Sequence, residues 1–73
     1  FRSVPAGAEL TRREIDVVRL VARGYSTAEI AGELCISVGT VKNHINAIYQ
    51  ILDVHSRAEL VLYAVERGLG PAR

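Results

Sequence analysis

At 73 residues the chain is one small domain, of a size that buries only about 60 % of the surface its unfolded form exposes. Nine basic against eight acidic residues leave a net charge of +1, so composition alone does not announce a polyanionic partner; the placement of charge has to do so. The single Cys35 excludes an internal disulfide, no Cys/His cluster suggests zinc, and no apolar run approaches a membrane span. A reducing, cytoplasmic setting fits this usage, with no cofactor and no metal expected.

Residues 1–9, with Pro5 and Gly7 and no periodic pattern, read as a linker or a ragged edge. The chain opens on Phe1 without a methionine, which leads us to expect a fragment of something longer. A repeated device follows. Thr11-x-x-Glu14, Ser26-x-x-Glu29 and Ser56-x-x-Glu59 each stand just before an apolar periodic run and spell a capping box.

The first helix is expected over about Arg12 to Arg23, with Arg12, Asp16, Arg19 and Arg23 outward. Ile15, Val18, Leu20, Val21 and Ala22 supply its buried side, and Gly24 stands where a left-handed stop is wanted. The second helix runs from about Thr27 to Leu34, with Ala28, Ile30, Ala31 and Leu34 inward and Glu29 and Glu33 outward. Only Cys35-Ile36-Ser37 separates it from the next, which is helix-turn-helix spacing. Small Ala31 suits close approach of the crossing helices, and Cys35 is expected as a small buried hydrophobe at their junction.

The third helix is capped by Ser37 and ends near Asp53. Val41, Ile45, Ile48 and Leu52 recur at the spacing of a core-facing stripe. The other side carries Gly39, Thr40, Lys42, Asn43, Asn46, Tyr49 and Gln50, with no acidic residue and with the only lysine of the chain. Such a front fits a helix presented to DNA or an ordinary solvated surface. The fourth helix starts at Ser56 and stops at Gly68, with Gly70-Pro71 against extension. Leu60 and Ala64 can cover the core, while Ala58, Val61, Leu62 and Val65 fall to another side. A helix apolar over so much of its circumference is usually buried on more than one side. Both a dimer contact and packing against an absent N-terminal domain would do this.

Leu10-Thr11-Arg12-Arg13-Glu14, Gly24-Tyr25-Ser26, Glu29-Ile30-Ala31, Leu34-Cys35-Ile36-Ser37, Thr40-Val41-Lys42-Asn43-His44 and the closing Leu69 together resemble the LuxR-type helix-turn-helix domain. The resemblance covers residues 10–70, with the helix-turn-helix motif at about 27–46. It implies an all-α, compact four-helix domain that binds double-stranded DNA as the output domain of a bacterial transcription regulator. The third helix would be the recognition helix in the major groove, and the fourth would serve dimerisation. An N-terminal receiver or ligand-binding domain would lie outside this chain.

Position by position, the resemblance places DNA contacts at Lys42, Asn43 and Asn46, and backbone contacts near Thr27, Thr40 and Arg57. Lys42 can donate to guanine O6/N7 or to a phosphate, and the amides of Asn43 and Asn46 can pair with adenine N6/N7. Two asparagines inside a helix also ask for a reason beyond propensity. Thr40 either binds phosphate or helps cap its own helix. Gln50 and Tyr49, further down, suit backbone rather than base contact, and His44 is expected as a packed, hydrogen-bonded histidine. The family often carries cations near Thr27-Ala28, Asn46 and Ile51-Leu52, where this chain is neutral. Weak binding by one domain is therefore expected, with two copies on adjacent half-sites making up the affinity.

Two other readings share parts of the pattern. A sigma-factor promoter-recognition domain shares Ser-x-Gly-Thr-Val-Lys, but His44-Ile45 and the ending Gly68-Leu69 argue against it. A protein-interaction module that has lost DNA binding draws support from the missing cations. Nothing points to an enzyme, because no paired carboxylates or nucleophile constellation is visible.

Overall fold

The computed structural model describes residues 10–70, which form four helices and no strand. They are α1 (Arg12–Ala22), α2 (Thr27–Leu34), α3 (Val38–Leu52) and α4 (Arg57–Glu66). The expected linker at 1–9 and the stop at Pro71 lie outside the described residues.

Every helix begins on a hydroxyl in extended backbone: Thr11, Ser26, Ser37 and Ser56 each accept from the N–H three residues on. Two full capping boxes form. Glu14 Oε1 accepts from Thr11 N at 2.9 Å, and Glu29 Oε1 accepts from Ser26 N at 2.8 Å. The third expected box closes differently. Glu59 N donates to Ser56 Oγ at 3.2 Å, but Glu59 Oε1 accepts from His55 N at 2.7 Å, one residue before the cap.

The ends repeat as closely as the starts. Gly24, Cys35, Asp53 and Gly68 all have positive φ, at 87°, 59°, 57° and 75°. After each comes an apolar residue whose N–H returns to the helix's last turn: Tyr25 to Leu20 O, Ile36 to Ala31 O, Val54 to Tyr49 O and Leu69 to Ala64 O. This is the Schellman arrangement, in which a left-handed residue reverses the chain and the next side chain packs back. Tyr25, Ile36, Val54 and Leu69 all pack against the core. Four short helices are thus cut to length by one device, and each cut turns the chain inward.

The core is Val17, Val18, Leu20 and Val21 of α1, Ile30 and Ala31 of α2, Val41, Ile48 and Leu52 of α3, and Leu60 and Ala64 of α4. Helix α1 is the hub, packing most extensively on α4 and touching both α2 and α3, while α2 and α3 pack on each other. The buried face of α1 is rotated from the expected one: Val17 is fully buried, whereas Ile15 and Ala22 sit half-buried at its margin. Two expectations fail outright. Ala28 is exposed, because α2 is only eight residues long and buries just Ile30 and Ala31. Cys35 is exposed as well, because it occupies the left-handed C-terminal position of α2, which directs its side chain away from the core.

Candidate nucleic-acid interface

Helix α3 spans 15 residues, or about 22 Å at 1.5 Å per residue. At about 100° per residue, its buried Val41, Ile48 and Leu52 define one side, with half-buried Ile45 at the margin. Gly39, Asn43, Asn46 and Gln50 fall opposite, with Lys42 on the flank, and all five are exposed. No carboxylate lies between Val38 and Leu52; the nearest acid in sequence is Asp53, at the helix's C-terminal stop. The front is therefore a row of amides and one cation, held rigidly by a back that is part of the core.

The start of α3 differs from the other three. Helices α1, α2 and α4 each carry a glutamate in their first turn, and α3 carries none. In the glutamate's place stands Thr40, whose N–H donates to Ser37 Oγ at 3.1 Å and whose hydroxyl lies 2.9 Å from the same oxygen. Thr40 therefore takes part in capping its own helix, and it remains exposed at the helix start. The positive end of the α3 dipole is left without a neutralising side chain, the condition in which a helix start favours an anion.

Thr27 is the first residue of α2 and is half-buried. Arg57, the first residue of α4, is half-buried too, and its Nη2 donates to the backbone carbonyl of Tyr25. This partner within the chain was not readable from the sequence, since 32 residues separate the two. Tyr49, grouped with the polar front on periodicity, is half-buried and packs against the core beside the α3 stop. His44 is half-buried, but the hydrogen bond expected of its ring is not made to any described residue. Near the C-terminal end of α3 an open cleft of about 350 Å³ is lined by Asn46, Tyr49, Gln50, Asp53, Val54 and His55.

Four capped helices, with a three-residue reversal between α2 and α3 and an exposed, acid-free face on α3, define a helix-turn-helix domain. Residues 8–64 match the model of the bacterial regulatory proteins of the luxR family. The chain belongs to that family, a family of DNA-binding transcription regulators rather than of enzymes. It is 42 % identical over 60 residues to the response regulator protein VraR of Staphylococcus aureus, and equally to those of Staphylococcus saprophyticus and Staphylococcus epidermidis. The matched stretch is 82 % of this chain but 29 % of each relative, so the chain spans less than a third of the proteins it resembles.

Proposed function

We propose that this domain binds double-stranded DNA sequence-specifically, with α3 in the major groove, as the output domain of a bacterial transcription regulator. One observation carries the reading: the solvent side of α3 presents Lys42, Asn43, Asn46 and Gln50 with no carboxylate among them. A helix about 10–12 Å across fits a groove about 12 Å wide. Lys42 and Asn43, in the early turns of the helix, are the principal base readers, and Asn46 is the next. Thr40 and Thr27, at the starts of α3 and α2, and Gln50, further along α3, meet the phosphate backbone. Arg57 acts from behind, through its bond to Tyr25.

The domain works as a homodimer through α4. Ala58, Leu62 and Val65 are exposed and Val61 is half-buried, so α4 keeps an apolar face that the described residues do not cover. With one lysine on the reading face, a single copy releases few counterions, and a second copy on the adjoining half-site supplies the missing affinity. The likeness to response regulators supports an N-terminal receiver domain in the whole protein and a place in the cytoplasm. No helix among the described residues is long and apolar enough to cross a membrane.

The direct experiment is a titration of a selected operator with the parent and Lys42→Ala at fixed salt. A loss of about 1–3 kcal/mol is expected for a base-reading lysine. Identical curves would remove Lys42 from the interface, and the α3 reading with it.

A further inference from the structure

Val38 has no place in the core or its packed margin. It is 41 % exposed, one of three large hydrophobic side chains left in solvent among the described residues. The other two, Leu62 and Val65, lie on α4. A single exposed valine is ordinary on a protein surface; its position here is what separates it.

Val38 is the first residue of α3. Residues four apart on a helix stand one above the other, so Val38, Lys42 and Asn46 form one continuous row. All three are exposed. The row runs to the N-terminal end, the end of a recognition helix whose residues contact base edges. Helical side chains also lean toward the N-terminus, which carries Val38 further forward than its Cα.

We propose that Val38 reads a thymine, by packing its branched methyls against the C5-methyl group in the major groove. Valine has no donor or acceptor, so the hydrogen-bond pattern of a base edge is invisible to it. The thymine methyl is the one apolar feature that the groove offers. Lys42 and Asn46 then read polar edges in the same row, while Val38 adds a requirement for a methyl at the neighbouring step. The inference rests on the DNA reading proposed above and adds a residue and a base to it.

The test uses an operator selected from a random duplex pool, with each thymine replaced in turn by deoxyuridine, which removes only the methyl group. The parent chain is expected to lose about three- to fivefold in affinity at one thymine per half-site, the worth of one buried methyl. Val38→Ser is expected to bind the thymine and uracil probes equally, with an unchanged circular-dichroism spectrum. The proposal is overturned if no thymine shows the effect in the parent, or if the effect persists in Val38→Ser. Lys42→Ala on the same operator keeps the two ideas apart. If it binds normally, or if no duplex is enriched, the DNA reading itself fails and Val38 falls with it. If Lys42→Ala is weakened and deoxyuridine is harmless everywhere, only the Val38 assignment fails.

Discussion

The guanidinium of Arg57 donates to the carbonyl of Tyr25, so the first turn of α4 is tied to the reversal between α1 and α2. Tyr25 is the residue that packs back at the end of α1, and it directly precedes Ser26, the cap of α2. One side chain therefore fixes the start of α4, for which we propose the dimer contact, against the start of α2. Arg57→Gln should cost about 1.5–3 kcal/mol, the range for a hydrogen bond to a charged group, read by urea denaturation. Its salt dependence of DNA binding should stay parallel to the parent's. A slope smaller by about one unit would instead return Arg57 to the phosphate contacts.

Cys35 and Asp53 both hold a left-handed conformation that glycine adopts freely. For an ordinary L-residue it costs roughly 1–2 kcal/mol, partly offset because glycine loses about 0.5–1 kcal/mol more in chain entropy on folding. Cys35→Gly should therefore stabilise the domain by about 0.5–1 kcal/mol. Aspartate tolerates this region better, and Asp53 Oδ1 also lies 3.9 Å from His55 Nε2. Asp53→Gly is accordingly expected to be neutral or slightly harmful. Chemical denaturation of the two variants side by side decides the order, and a destabilised Cys35→Gly would contradict the strain argument.

Leu60 and Leu62 are two residues apart on α4 and do opposite things: Leu60 is fully buried and Leu62 is 58 % exposed. Leu60→Ala opens a cavity and should cost about 2–5 kcal/mol, a large share of the stability of any small domain. Leu62→Glu should leave the melting temperature of the monomer nearly unchanged, since surface changes usually stay within about 0.5 kcal/mol. It should, however, abolish the cooperative second step of binding to a two-half-site probe. Sedimentation with and without that probe checks this, and a parent that stays monomeric on both half-sites would sink the role given to α4.

Three of the four helix starts are legible because a hydroxyl followed three residues later by glutamate is a local signal; α3 has only its hydroxyl, Ser37. The bond from Glu59 to His55 shows its limit, since the pattern names the partners but not which N–H the carboxylate reaches. The stops were half legible. Gly24 and Gly68 declare themselves, but nothing about Cys35 announces a left-handed residue, so it reads as a buried hydrophobe and is exposed instead. The buried face of α1 is legible only to within part of a turn, because apolar residues at 15, 17, 18, 20, 21 and 22 surround most of that helix. Only packing against α4 and α3 selects Val17 over Ile15. The front of α3 was the clearest feature, since a stripe fixed by periodicity also fixes what lies opposite. Tyr49 departed from it because its bulk and its place beside the stop let it lean into the core.

The outward residues of α3 stand apart from the core that holds the helix in place: Val38, Lys42, Asn43, Asn46 and Gln50 are all exposed. Stability and the proposed recognition are therefore written on different residues of the same 15-residue segment. On the DNA reading proposed above, a lineage can exchange the base-facing residues among them, Val38, Lys42, Asn43 and Asn46, one at a time and acquire a new target sequence while the fold stays above its melting threshold. Duplicated copies of such a domain are thus free to diverge in what they read long before they diverge in shape.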